Sequence, residues 1–313
     1  MVKTGIVSNS ALCLPLLHFL KTQQEDVVVL SAEVTGPHNG AVAAFCAGAA
    51  IPCMQANGNE QALYQWAALH SPDIVFVIGY NFKIHTDRFT TGLPLLFNVH
   101  MGHLPEYRGP NPVFWQLKKG APSLAITIHC INNRFDAGEV AWKKEYTNQP
   151  FFNYGFVHQF MSHQLVEGVS SLLQMKKQGQ PVPVVAQNEG LAAYYKRPTL
   201  HDVCIQWHQM TATEIINLVK ACVSWNNGAI TIYNGMEVRI CDAELLAPAV
   251  PNPAQSHRPG GQSAPGTIIH AAGALLVACL QHEMLKVHTL MVSGTLLPGR
   301  FAEHYGFSAG QSF

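Results

Sequence analysis

The run Asp73–Gly79, DIVFVIG, constrains the fold of this chain more than any other stretch. Five consecutive β-branched or aromatic residues with no polar alternation describe a strand buried on both faces. Such a strand belongs in a parallel sheet covered by helices on either side. Residues 3–8, 26–33, 95–100 and 124–130 read as further strands, and 11–22, 40–49 and 59–70 carry helical apolar spacing. Strands alternating with helices predict a Rossmann-like α/β fold with a mostly parallel sheet, whose ligands bind beyond the carboxyl ends of the strands.

A long helix is expected over 152–177, followed by a polar, proline-containing connection. From Thr199 the pattern changes. A helix over 212–222 precedes short runs at 229–233, 237–245, 266–271, 274–280 and 284–291, whose spacing and turn residues predict a small OB-like β-barrel. The expected organisation is an α/β domain over 1–180, a linker over 181–198 and a barrel domain over 199–313. The stretch 247–266, rich in Pro, Ser, Gln and Gly, reads as a loop inside the second domain.

A length of 313 residues suits two domains. With 48% hydrophobic and 12% charged residues, the chain is not a disordered tail protein. Nineteen basic residues balance nineteen acidic ones, so no whole-molecule field draws it to nucleic acid or to an anionic membrane. The apolar N-terminal run is broken by Ser8, Asn9 and Ser10 and reads as a first strand and helix, not a secretory signal. No stretch approaches the roughly 18 apolar residues that span a bilayer. Eight scattered cysteines without a CxxC pair point to reduced thiols and a cytoplasmic protein.

The stretch Asn98-Val-His100-Met-Gly-His103-Leu-Pro105-Glu-Tyr-Arg108-Gly109 lies where an expected strand ends and a loop begins. Alternate residues of a strand share a face, so Asn98 and His100 point at one spot on the carboxyl edge of the sheet. Asp136, in the loop after the strand 124–130, can supply a carboxylate to the same spot. Acyl transfer passes through a tetrahedral oxyanion, which the Asn98 amide can stabilise. His100 can exchange a proton with the nucleophile or leaving group, and Asp136 can orient it and raise its pKa. No serine or cysteine nucleophile is part of the pattern, so the attacking group comes from the substrate.

These residues resemble the signature of the formyltransferases that use 10-formyltetrahydrofolate, N-x-H-x-S-L-L-P-x-Y-R-G followed by L-D-x-G-[DE]. Asn98, His100, Leu104, Pro105, Tyr107, Arg108 and Gly109 stand in register with it, then Asp136, Gly138 and Glu139. Tyr194-Tyr195-Lys196-Arg197-Pro198 and Ile205-Gln-Trp207 are similar to the start of the family's C-terminal barrel domain, so the resemblance spans nearly the whole chain. It implies that Asn98, His100 and Asp136 are catalytic and that 10-formyltetrahydrofolate is the formyl donor. It also implies donor contacts from Tyr80, Phe82, Ile84 and Asn133, largely through backbone groups. Gly102-His103 replaces the family's Ser-Leu, which brings an extra imidazole. His103 and Arg108 are candidates for substrate binding, Arg108 alternatively for holding the loop.

Other readings remain. His100-x-x-His103 lacks an HExxH helix pattern, and Pro105 stops a helix from continuing through it, so no metal site is expected. Gly36–Gly40 lacks the GK[ST] ending of a phosphate loop. Trp115 and Trp142 read as core. From residue 181 to 313 there are seven Lys plus Arg against eight Asp plus Glu, which argues for a small-molecule amine over tRNA as acceptor. An amino sugar nucleotide and an amino-acid-like metabolite both fit. The competing activities are hydrolysis of 10-formyltetrahydrofolate, methionyl-tRNA formylation and non-catalytic folate binding. The sequence assigns no oligomeric state.

Overall fold

A computed structural model describes residues 2–31, 40–56, 58–80, 82–90, 92–246 and 263–313. Residues 36–39 of the expected glycine turn and 247–262 of the expected loop lie outside the described residues. The chain forms two compact units. One comprises Met1–Pro112, Ser123–Asn148 and Val157–Lys196, the other Val113–Pro122, Gln149–Phe156 and Arg197–Phe313.

In chain order the first half contains β1 (Lys3–Ser8), α1 (Leu14–Thr22), β2 (Asp26–Ser31), α2 (Ala41–Gly48), β3 (Cys53–Gln55), α3 (Ala62–His70), β4 (Ile74–Ile78), β5 (Leu95–His100), α4 (Pro112–Lys118), β6 (Ser123–Cys130), β7 (Val140–Thr147) and α5 (Tyr154–Lys177). The seven strands form one sheet in the order β3-β2-β1-β4-β5-β6-β7. β1 to β5 are parallel, and β6 and β7 are antiparallel additions at one edge. The mostly parallel α/β sheet expected from the sequence is therefore present. Chain order reverses between β1 and β4, where Ser8 Oγ donates to the Ile78 carbonyl (2.8 Å) and the Asn9 amide to the Gly79 carbonyl (3.0 Å). A crevice at such a reversal is where α/β sheets hold ligands.

Every residue of β4 is buried, as its unbroken apolar run requires. On one face Val7, Val28, Leu30, Val75, Val77 and Leu96 pack with Leu63, Tyr64, Trp66 and Ala67 of α3. Residues of the opposite parity, including Ile6, Val29, Phe76 and Phe97, are buried as well, and Phe76 stacks on Phe97 at 5.8 Å. On α5, Gly168 lies against Trp142 of β7 and Ile128 of β6.

Local chemistry adjusts several expected boundaries. α1 is preceded by a 3-10 turn at Ala11–Cys13 capped by Ser10, with Pro15 in the first helical turn. α3 starts at Ala62 rather than at residue 59, because the Asn59 side chain accepts the Gln61 amide (2.9 Å) and holds a local turn. β7 was not expected as a strand. Its alternating exposure and its Lys143, Lys144 and Glu145 are those of a charged edge strand. The stretch 181–196, expected as a linker, is tied to the first unit: Val185 and Val140 exchange both backbone hydrogen bonds, and Arg108 pairs with Ala193 and Tyr195.

The second unit holds α4 from Val113 onward, then α6 (Leu200–Val203), α7 (Ala212–Cys222), β8 (Ala229–Tyr233), β9 (Met236–Leu245), β10 (Ile268–His270), β11 (Leu275–Ala278), β12 (Met284–Val292) and β13 (Thr295–Pro298). The strands form a curled antiparallel sheet, β10-β11-β12-β9-β8 with β13 paired to β12, and bulges between β12 and β9 add local twist. This is the expected small antiparallel second domain. Thr211 and Glu214 form a capping box that starts α7, whose Ile215, Leu218 and Val219 are buried. Trp207 donates its indole hydrogen to Thr231 (2.9 Å) and stacks on Phe313. Among the described residues no helix is long and apolar enough to cross a membrane.

Gly5 in β1 has no room for a side chain: a Cβ there would stand 2.6 Å from Trp66 and 3.0 Å from Val75. Gly5→Ala is expected to lower folding stability by about 1–3 kcal/mol through overpacking. Urea unfolding of the purified variant checks this, and unchanged stability would show that the Trp66 face is loosely packed.

Candidate active site

The carboxyl half of β5, His129 of the adjacent β6 and the loop that follows β6 assemble the site. β5 presents Asn98 and His100 on one face, as the period of two requires. β6 runs antiparallel to it, and its register sets His129 directly opposite Asn98. Asp136 arrives from the loop after β6 in a left-handed backbone conformation, φ +51°, which Asp tolerates better than most residues. Three contacts hold it there. The Gly109 amide donates to Asp136 Oδ2 (2.9 Å), and Gln187 Nε2 donates to the carbonyls of Asp136 (2.9 Å) and Gly138 (2.7 Å). Gly109 has φ +118°, and a Cβ on it would run into the Tyr195 carbonyl. A Cβ on Gly138 would fall 1.7 Å from the Cys130 carbonyl, so only glycine lets the loop fold back on the end of β6.

Asn98 Nδ2 lies 3.1 Å from His129 Nε2 and 3.3 Å from Asp136 Oδ1, and these two acceptors are 3.4 Å apart. In that nearly equilateral triangle the acceptors subtend roughly 60° at Nδ2, half the angle between the two amide hydrogens. Both acceptors face the amide nitrogen, which fixes the amide with its N–H groups, and not its oxygen, toward them.

Two carbonyls fix a proton position on each imidazole. The Tyr107 carbonyl, 2.7 Å from His100 Nε2, can only accept, so Nε2 carries the hydrogen and the Nδ1 lone pair faces Asp136 Oδ1 at 3.6 Å. The Cys130 carbonyl, 2.8 Å from His129 Nδ1, likewise places the hydrogen on Nδ1 and leaves Nε2 to accept from Asn98. Burial of His100, with His129 beside it, lowers its pKa against the opposing pull of Asp136 and the Tyr107 carbonyl. Burial acts to raise the pKa of Asp136, but His100, His129 and the Gly109 amide outweigh it and hold the carboxyl at about 2. At neutral pH the site is thus a carboxylate beside an imidazole that can take a proton on Nδ1. The expectation that Asp136 works to raise the His100 pKa is met, but burial reverses the net direction. The hydrogen bonds and ion pairs described for Asn98, His100, His129 and Asp136 involve no serine or cysteine side chain.

The remaining expected residues divide. His103 is turned to β6 and β7: its Nε2 is 3.1 Å from both the carbonyl and the hydroxyl of Ser123, and its Nδ1 is 3.5 Å from Glu145. Arg108 is buried and donates to Gln187 (2.8 and 3.2 Å) and Glu189 (2.8 and 3.1 Å), which is the loop-holding alternative. Ile84 is buried among the α3 core residues, so its side chain is part of the core. Tyr80 is half-buried, packs edge-on against Phe82 at 5.5 Å, and donates to the Glu60 carbonyl (3.4 Å). Burial pushes its phenol pKa up. Asn133 is exposed and lines an open groove with Lys83, Arg108, Arg134, Phe135 and Tyr194. Among the described residues no group of three or more His, Cys, Asp or Glu is arranged to hold a metal ion.

His129 and Gln187 were not expected. His129 carried a signal, a polar ring near the end of a mostly apolar strand one step before the loop of Asp136. Gln187 carried none, because it lies in a stretch without periodicity.

Residues 18–150 match the Formyl transferase family, and residues 199–295 match the family's C-terminal domain. Solved structures share the fold at low identity. HypX from Aquifex aeolicus in complex with tetrahydrofolic acid aligns over 97% of this chain with 17% identity and a TM-score of 0.65. This chain spans about half the length of HypX, 47%. An N-formyltransferase from Helicobacter canadensis, in complex with folinic acid and dTDP-3-aminofucose, aligns over 92% of this chain and 99% of its own, with 15% identity and a TM-score of 0.68. Methionyl-tRNA formyltransferase from Clostridium thermocellum aligns over 78% of this chain and 93% of its own, with 14% identity and a TM-score of 0.57.

The ionised Asp136 also bears on stability. Its folded pKa, about 2, lies below the ordinary 3.8, so its contribution is fully present above about pH 4 and is lost as the pH falls through 2. The loss is on the order of 2 kcal/mol. Denaturation of wild type and Asp136→Asn between pH 6 and 2.5 is expected to show a shallower acid slope in the variant. Equal slopes would mean that the carboxyl titrates alike in the folded and unfolded chains.

Proposed function

This chain belongs to the formyl transferase family, and we propose that it transfers a formyl group from 10-formyltetrahydrofolate to the amine of a small molecule, either an amino sugar nucleotide or an amino-acid-like metabolite. The observation that carries this reading is the Asn98 amide nitrogen beside an ionised Asp136 and a neutral His100, with no serine or cysteine side chain in the contacts described for them. The groove lined by Asn133 suits a donor of this chemistry. Its exposed Phe135 and Tyr194 offer faces to flat rings, and Lys83 and Arg134 are cations for carboxylates. Tyr80, Phe82, Ile84 and Asn133 would hold the donor, Ile84 through its backbone.

The folate supplies a formyl group already bound to nitrogen, so transfer exchanges one C–N bond for another and moves one proton from the incoming to the leaving nitrogen. Asn98 donates from its amide nitrogen to the oxygen of the group in transfer and stabilises negative charge there. His100 takes a proton on Nδ1, where the Asp136 carboxylate stabilises the resulting imidazolium, and gives it up again. Gly109 and Gln187 keep Asp136 facing both partners.

The near balance of charge over 181–313 favours a small amine over tRNA. A cytoplasmic setting suits a chain whose eight cysteines are scattered without a CxxC pair.

The test incubates purified protein with 10-formyltetrahydrofolate, first alone and then with dTDP-3-aminofucose and a panel of amino acids, following tetrahydrofolate, formate and formylated product. Donor binding with slow release of formate, and faster tetrahydrofolate release with one amine, is the expected result. Asn98→Ala is expected to reduce transfer on the order of 10²–10³-fold. Fast, Asn98-dependent formate release without any amine would instead make the protein a hydrolase, and formylation of methionyl-tRNA alone would move the acceptor to tRNA. Absence of donor binding would remove the folate from the reading.

A further inference from the structure

We infer that His129 is a positioning residue for the reaction proposed above: it sets which way the Asn98 amide faces, and so whether the site presents a hydrogen-bond donor or an acceptor. An asparagine amide has two orientations of nearly identical shape, one offering hydrogens and the other an oxygen. Only the first can stabilise negative charge on a group in transfer. The surroundings must choose between them, and in a buried site water does not compensate for the wrong choice.

His129 makes that choice through its own proton position. It is buried, with a side-chain exposure of 3%, and stands opposite Asn98 across the β5–β6 pair. Its Nδ1–H is committed to the Cys130 carbonyl at 2.8 Å, which leaves Nε2 as the acceptor, 3.1 Å from Asn98 Nδ2. The reverse tautomer would turn Nε2–H toward Asn98 and favour the amide oxygen there, leaving the Cys130 carbonyl without this donor. The Asp136 carboxylate also accepts from Nδ2, but at the longer 3.3 Å, and its other oxygen is taken by the Gly109 amide. His129 and Asp136 together present two acceptors to the amide nitrogen, which sets Nδ2 and not the amide oxygen on their side. The Cys130 carbonyl is itself backed by Gly138, whose missing side chain lets the Asp136 loop close over it. One loop therefore fixes the carboxylate and, through Cys130 and His129, the amide.

The test uses the full-length protein with 10-formyltetrahydrofolate and hydroxylamine as the probe amine. His129→Leu removes the acceptor, and kcat is expected to fall on the order of 10²-fold with KM for the donor nearly unchanged. His129→Gln carries an amide oxygen near the position of Nε2, and its kcat is expected to return to within about tenfold of wild type. Long-range proton–nitrogen NMR of histidine-labelled protein, with His129→Gln assigning the resonance, is expected to show His129 as the neutral Nδ1–H tautomer. A His129→Leu enzyme with wild-type kcat, or a resonance from the Nε2–H tautomer, would overturn the proposal. If His129→Leu does not fold, the glutamine variant and the tautomer decide. If wild-type protein and Asn98→Ala both fail to release tetrahydrofolate, the formyl-transfer reading fails, and the tautomer still reports separately on what His129 offers to Asn98.

Discussion

The carboxylate of Asp136 is the group on which the geometry of the site depends. It lies among His100, His129, the Asn98 amide and the Gly109 backbone, and the Asn98 and Gly109 N–H groups donate to it as a carboxylate. Burial alone would raise its pKa. The surrounding donors prevent this, and the same carboxylate then makes a proton on His100 Nδ1 acceptable in a place where burial otherwise disfavours charge. The low pKa of the acid and the lowered pKa of the base are two sides of one compact arrangement.

The backbone around Asp136 explains how a loop residue can be placed so firmly. Its left-handed conformation is held from the motif loop through Gly109 and from the stretch 185–195 through Gln187. Gln187 accepts from Arg108 and donates to two carbonyls of the Asp136 loop, so its amide has a single orientation. Glu189 joins Arg108 to Arg134. A buried arginine surrounded by fixed acceptors acts here as a rivet between loops, which accounts for Arg108 without any contact to a ligand.

Much of the site was legible in the sequence. Asn98 and His100 share a strand face because side chains alternate, and any folded form of that strand keeps them together. Asp136 was legible as a carboxylate in the loop after a strand, but β6 runs antiparallel to β5 and ends toward the opposite edge, so that loop folds back to reach Asn98 and His100. His129 was not, because its relation to Asn98 depends on β6 running antiparallel to β5 in one particular register. His103 read as an extra imidazole for a substrate, yet the turn over 103–107 directs it to Ser123 and Glu145. Ile84 read as a donor contact, and its apolar side chain went to the core, as burial free energy favours.

By itself the sequence determined what neighbours along the chain can express: the apolar run of β4, the alternation that pairs Asn98 with His100, the glycines that permit close approach, and the change of pattern near Thr199. The tertiary structure decided what depends on partners remote in sequence. Asn98 meets His129 across 31 residues and Asp136 across 38, and Arg108 meets Gln187 across 79. Periodicity is a property of consecutive residues and survives in any local reading. A tautomer, an amide orientation or the charge of a buried carboxyl is set by the few atoms that surround it, and only sheet register and loop closure bring those atoms together.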